Sequence, residues 1–197
     1  MRIIGGQFRG RTIRAPEGMG TRPTSDRVRE AIFNILGDVP VGVNVLDLFA
    51  GSGAMGLEAL SRGAESAIFV DESPDARDVI SSNAAALGVS ERCLVLGGDA
   101  GDFLARQSPA AGKCSLVFVD PPYGEGFPDE TLRGLMNWEG LASPAIVVVE
   151  TARSSSPALE ESEAPDEKLV LMRKRLYSDT AVHVFRWSDG GEKRLGT

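Results

Sequence analysis

Residues 117–126 read VFVDPPYGEG, an apolar run that ends in an acid, two prolines and an aromatic ring. Proline fixes its own φ and keeps the preceding residue extended, so Asp120 and Pro121 are both held extended. Pro121 and Pro122 also lack backbone N–H groups, which leaves carbonyls that only accept. The Asp120 carboxylate and the Pro121 carbonyl then form two fixed acceptors for the two hydrogens of an amino group. A delocalised amine held this way is drawn toward a pyramidal nitrogen with its lone pair exposed for attack. Positive charge that develops on the nitrogen is stabilised in place by Asp120. Tyr123 adds a π-face on which a planar group can stack. Asp120, Pro121, Pro122 and Tyr123 are the candidate catalytic set. The bland alternative is a stiff loop with a capping acid and a core tyrosine.

A second constellation lies upstream. LDLFAGSGAMG carries G-x-G-x-x-G at Gly51, Gly53 and Gly56, and Asp71 ends the next apolar run. Glycines let a ligand approach the backbone, a helix N-terminus offers free N–H groups, and an acid ending the second strand can accept both hydroxyls of a ribose. Any adenosine-bearing ligand suits that pattern, including NAD and S-adenosylmethionine. Asp47, four residues before Gly51, brings negative charge toward the loop; a pyrophosphate is repelled there, while an ammonium and a sulfonium are attracted. Asp99, in GGDA, can accept from an adenine amino group. These residues favour S-adenosylmethionine over a dinucleotide, with Asp47, Phe49, Gly51, Ser52, Gly53, Asp71, Asp99, Ala100 and Asp120 as candidate contacts. Each acid alone has a structural reading as a helix cap or strand-end residue.

The elements that must position these groups follow from periodicity. NVLDLF, SAIFVD, CLVLGGD, SLVFVD and AIVVVE are apolar runs of strand length, and helical spacing recurs between several of them. Continuous apolar strands alternating with helices predict an α/β fold with a parallel sheet covered on both faces. KLVLMRKRLY and TAVHVFRW, joined at Ser178-Asp179, predict a terminal β-hairpin, making seven strands. Residues 1–14 alternate around glycines as a short strand pair would. In RPTSDRVREAIFNIL, Thr24 or Ser25 can cap a helix that ends at Gly37. The expected division is an N-terminal extension over residues 1–37 and one larger domain over 38–197. The acidic, serine-rich 152–168 stretch between the fifth run and the hairpin predicts an exposed loop.

The chain of 197 residues has a net charge of −7, yet residues 1–30 carry seven arginines and three acids, a local charge of +4. A basic arm on an acidic body points to a polyanion met through one face, a solvated arm being the alternative. No apolar run approaches the roughly 20 residues of a membrane span, and no signal peptide opens the chain, so a cytoplasmic location is expected. Cys93 and Cys114 stand alone and read as buried, inert thiols. A single histidine, His183, offers no basis for a histidine-rich metal cluster, and no metal is expected.

The D-P-P-Y sequence resembles the signature of amino-directed, S-adenosylmethionine-dependent nucleic-acid methyltransferases. RIIGGQFRGRTI followed by RPTSDRVREAIFNIL is similar to the opening of the RsmD family of bacterial rRNA methyltransferases. The similarity continues through LDLFAGSGAMGLEALSRGA, FVD, GDA, DPPY and RLYSDTAVHVF, nearly the whole chain. It implies a Rossmann-like class I methyltransferase fold and transfer of a methyl group to guanine N2 in 16S rRNA, within the small subunit or an assembly intermediate. The base would be flipped out of its stack at a cost of a few kcal/mol. It also implies that the Arg22–Arg29 region, including Thr24, lies beside the cofactor and helps close its pocket. Arg9, Arg11, Arg22, Arg27, Arg29 and Tyr123 would then contact RNA. Methylation of adenine N6 in DNA or RNA is the alternative that the core motifs alone leave open.

Overall fold

The computed structural model describes residues 1–16, 25–106, 112–122, 128–155 and 168–190. Helix α1 (Asp26–Leu36) begins where the Ser25 hydroxyl accepts from the Val28 N–H at 3.2 Å, and ends at Gly37, whose N–H donates to the Phe33 carbonyl with φ at 55°. Ser25 is thus the cap; Thr24 lies outside the described residues. Strand β1 (Asn44–Leu48) is followed by α2 (Ala54–Ser61), β2 (Ser66–Asp71), α3 (Pro74–Leu87) and β3 (Cys93–Gly97). Then come α4 (Ala100–Ala105), β4 (Cys114–Val119), α5 (Asp129–Asn137), β5 (Leu141–Ala152), β6 (Leu169–Leu176) and β7 (Thr180–Trp187).

The seven strands form one sheet in the order β3-β2-β1-β4-β5-β7-β6. Strands β1 to β5 pair in parallel, and β7 runs antiparallel between β5 and β6. The expected mostly parallel seven-stranded sheet with a terminal hairpin is what forms. Because the chain crosses from β3 over to β4 on the other side of β1, the crevice at the carboxyl ends of β1 and β4 is the switch point where open α/β sheets bind ligands. Side chains alternate across the sheet, so each apolar run feeds two cores. Val45, Phe69, Phe118, Val148, Val182 and Val184 join α1, α2 and α3 on one face. Leu48, Val70, Val119, Val149 and Phe185 join α4 and α5 on the other.

The amino-terminal segment forms the expected strand pair in minimal form. Arg2 and Thr12 bridge in antiparallel fashion, with the Ile3 N–H donating to the Arg11 carbonyl at 2.9 Å and the Ile13 N–H to the Met1 carbonyl at 3.1 Å. Beyond that bridge, backbone donors go to α2. The N–H groups of Ile4 and Gly5 donate to the two oxygens of Glu58 at 2.7 and 2.8 Å, and that of Phe8 to the Ser61 hydroxyl at 2.9 Å. Gly6 sits at φ 73°, and a Cβ there would lie 1.9 Å from the Ser61 carbonyl oxygen, so only glycine allows this approach. Ile3 and Ile13 are buried in the same core as α1 to α3. Helix α5 is an element the sequence reading did not anticipate. It buries only Leu132 and Leu135, too few apolar positions to announce a helix on their own. Strand β5 also runs longer than AIVVVE. Of the acidic 152–168 stretch, residues 156–167 lie outside the described residues. Among the described residues no helix is long and apolar enough to cross a membrane.

Candidate functional site

Asp47 sits inside β1, on the α1–α3 face, and is almost fully buried. Its Oδ2 accepts the Gly56 N–H at 2.9 Å, tying the strand to the first turn of α2. Burial is the main cause that pushes its carboxyl well above the ordinary range. The Gly56 N–H opposes that shift, and the nearby Asp120 and Asp71 carboxylates add to it. Asp71 from β2 and Asp120 at the exit of β4 are therefore within electrostatic reach of Asp47. Acids gathered in this way favour a cation and disfavour a phosphate.

The glycine loop is built by backbone conformations that few residues accept. Gly51 and Gly53 have φ of 54° and 74°, and Phe49, with a Cβ, is held at φ 61°. A non-glycine residue in that region costs on the order of 1–3 kcal/mol and persists only where the surroundings impose it. Here the Ala50 N–H donates to the Val70 carbonyl at 3.1 Å and the Gly53 N–H to the Ala50 carbonyl at 2.7 Å, locking the bend. Asp71 holds the loop from the neighbouring strand: its Oδ2 accepts the Gly51 N–H at 2.8 Å and its Oδ1 the Ser73 N–H at 2.9 Å. Each carboxylate oxygen keeps acceptor capacity for another donor. A Cβ on Gly51 would meet nothing closer than the Phe49 carbonyl oxygen at 4.0 Å, so space lies above the loop. Gly56 has none: a Cβ there would stand 2.4 Å from Phe69, which makes it the glycine that lets α2 pack on the sheet. Ser52 is buried; its hydroxyl donates to the Met1 sulfur at 3.2 Å and its carbonyl accepts from Asn83 at 3.0 Å.

Asp99 is exposed and serves as the N-cap of α4, its Oδ1 accepting from the Gly101 and Asp102 N–H groups at 2.7 and 3.2 Å. Ala100, the first residue of α4, is buried. Both stand at the carboxyl end of β3, in line with the Asp71 end of β2 through the pairing Asp71 to Gly97. Asp120 and Pro121, half-buried, and the exposed Pro122 leave the carboxyl end of β4, whose neighbour is β1. Tyr123 lies outside the described residues. Glu150 is a group the sequence reading missed. The register Val119 to Val149 makes Asp120 and Glu150 the next residues on adjacent strands, on the same face, and Glu150 is buried. It was hidden as the last letter of an apolar run, and a buried acid one residue past the pairing register is the signal that reveals it.

The arginines divide. Arg9, Arg11 and Arg27 are exposed, and Arg11 donates to the Ala86 carbonyl at 2.6 Å. Arg22 lies outside the described residues. Arg29 is fully buried, in ion pairs with Asp26 at 3.0 Å and Glu58 at 3.8 Å, and donates to the Arg2 carbonyl. A guanidinium enclosed this way does not face an RNA phosphate, so Arg29 leaves the expected nucleic-acid set and acts in docking the amino-terminal segment. Cys93 and Cys114 are free, with burial pushing their thiols up to about 11 and about 12. His183 is fully buried on the opposite face of the sheet from Asp120, its ring stacked on Phe185.

Sheet order, glycine bend and strand-end acids together define a Rossmann-like methyltransferase. The chain matches over residues 1–186 the family model described as conserved hypothetical protein 95, and it belongs to that family, the RsmD family. It is 42% identical over 151 residues to the Escherichia coli ribosomal RNA small subunit methyltransferase D, covering 77% of this chain and 74% of that protein. It is 37% identical over 188 residues to the Bacillus subtilis protein YlbH, provisionally named an rRNA methyltransferase, covering 94% of this chain and 98% of YlbH. Among solved structures, one of an Escherichia coli protein designated yhhF and provisionally titled a methyltransferase superposes with a TM-score of 0.80 at 36% identity, covering 95% and 98% of the two chains.

Proposed function

We propose that this protein transfers a methyl group from S-adenosylmethionine to the exocyclic N2 amino group of a guanine in 16S rRNA. The observation that carries the reading is the convergence of Asp47, Asp71 and Asp120 beside a glycine bend, at the mouth where β1 and β4 part. The residues present fit the cofactor. Asp71 keeps acceptor capacity for a ribose, Asp99 stands where an adenine amine can be met, and Asp47 supplies charge opposite to an ammonium and a sulfonium. Phe49, Gly51, Ser52, Gly53 and Ala100 complete the set of contacts, to which the family resemblance adds Thr24. S-adenosylmethionine supplies an electrophilic methyl group when bound there.

The chain's own work is to prepare the amine. A guanine flipped from its stack presents N2 to the Asp120 carboxylate and the Pro121 carbonyl, while Pro122 fixes the turn and Tyr123 offers its face to the ring. The nitrogen would become cationic as it takes the methyl carbon, the carbon–sulfur bond breaking to leave a neutral thioether, and Asp120 would stabilise that charge. The resulting ammonium is strongly acidic and would give its proton to Asp120 or to solvent without a dedicated base. Naming of the Escherichia coli relative as a ribosomal small-subunit methyltransferase supports the RNA substrate. The exposed Arg9, Arg11 and Arg27, with Arg22, supply cations for its phosphates.

Asp120→Ala tests the assignment. Turnover on 16S rRNA should fall by roughly 10²–10³-fold, the usual cost of removing one charge-stabilising group. Affinity for S-adenosylmethionine should stay within about threefold, a change of under about 1 kcal/mol. Loss of cofactor binding together with folding would make Asp120 a structural acid instead.

A further inference from the structure

The strongest unassigned surface lies at the far end of the chain from the basic arm. Residues 168–176, KLVLMRKRL, hold four cations and no acid. All but Lys168 form β6, which among the described residues is the edge strand next to β7. A register shift between Leu171 and Arg173 re-aims the strand, after which Arg173 lies opposite Val184 and Arg175 opposite Val182. Val182 and Val184 belong to the core on the α1–α3 face, so both arginines stand on the face that carries Asp120. Both are exposed, while the valines beside them are buried.

The row continues toward the acceptor. Arg175 pairs with Val182, Val182 with Glu150, and Asp120 is the next position across on β4. Three strand spacings of about 4.8 Å separate Arg175 from the acid, roughly 15 Å in all. Met172 and Leu176, at 59% and 52% exposure, add apolar surface along the same strand. On the amino-terminal segment and α1, Arg29 is buried, Arg2 lies 3.7 Å from Asp26 and Arg11 holds the Ala86 carbonyl, while Arg9 and Arg27 are exposed; on β6, Arg175 donates to the adjacent Lys174 carbonyl at 3.2 Å.

We propose that β6 is an RNA-docking edge, in which Arg173 and Arg175 hold phosphates of the strand flanking the base delivered to Asp120. The proposal rests on the rRNA reading above and adds a surface to it. Charge selects the occupant: exposed guanidinium groups without an acid in their strand complement a polyanion, and their planar forks suit phosphate oxygens. The competing role for cations on an edge strand is to prevent pairing with another sheet.

The test uses the full chain carrying Arg173→Gln and Arg175→Gln together, titrated with a 16S rRNA fragment over a salt series. Two lost phosphate contacts should flatten the slope of log affinity against log salt by about 1.4, given roughly 0.7 per contact on single strands. Affinity near physiological salt should fall about tenfold, while thermal midpoint, cofactor affinity and turnover at saturating RNA stay unchanged. The Arg173→Lys, Arg175→Lys pair should restore the slope. An unaltered slope and affinity would overturn the proposal, as would intact RNA binding accompanied by new self-association, the mark of an edge guard. If the unsubstituted protein neither binds nor methylates the RNA, the rRNA reading itself falls, an outcome distinct from silence in the variant alone.

Discussion

Asp47 serves two ends that oppose each other. It accepts the Gly56 N–H and so fixes α2 to β1, but it does so buried from solvent and with Asp71 and Asp120 close by. The folded state therefore retains the Asp47 proton to a higher pH than the unfolded chain does. The contribution of Asp47 to stability is greatest below the ordinary carboxylate range and declines as pH climbs toward the raised value, by up to about 1.4 kcal/mol per pH unit. Asp47→Asn keeps an acceptor for Gly56 and has no proton to lose. Its thermal midpoint at pH 8 should exceed that of the unsubstituted protein, and the gap should narrow as pH falls toward 4. Affinity for S-adenosylmethionine should drop roughly tenfold, about 1.4 kcal/mol, because the cation loses its counter-charge. A constant gap across pH, or a less stable variant at pH 8, would contradict this description of the site.

Among the elements, the amino-terminal segment is held by its own short antiparallel pairing around Arg2 and Thr12 and also by Glu58. Two backbone donors, the buried Arg29 and the partly exposed Arg62 all converge on its carboxylate. Glu58→Gln would leave Arg29 with Asp26 as its remaining counter-charge, so the cost should fall below the roughly 3–5 kcal/mol of a buried charge left wholly unpaired. Thermal denaturation should register it. Hydrogen exchange at the Ile4 and Gly5 amides should quicken before any change at β1, and unchanged exchange there would show that Glu58 does not anchor the segment. These contacts explain what was legible beforehand. Strands β1 to β5 announced themselves as apolar runs, and α1 by its Ser25 cap and Gly37 stop, because those signals are local. The fate of Arg29 was not local: its sequence neighbours read as a basic arm, and the acid that encloses it lies on another helix. Asp71 and Asp99 were placed correctly at strand ends, but their bonds to the Gly51 and Gly101 N–H groups depend on loop geometry that spacing does not carry.

Over the whole molecule, cations and acids sort by position rather than by number. The net charge of −7 coexists with exposed arginines at both ends of the chain, on the amino-terminal segment and on β6. Between them, acids gather at the carboxyl ends of the strands. An RNA strand can be held at its phosphates by the first set and present one base to the second, as proposed for methyl transfer to guanine N2. Transfer of labelled methyl from S-adenosylmethionine tests it most directly, with unmodified small subunits, their naked 16S rRNA and duplex DNA offered in parallel and each digested to nucleosides. Label is expected in N2-methylguanosine from subunit or rRNA. Label in N6-methyladenine, from RNA or DNA, would contradict it.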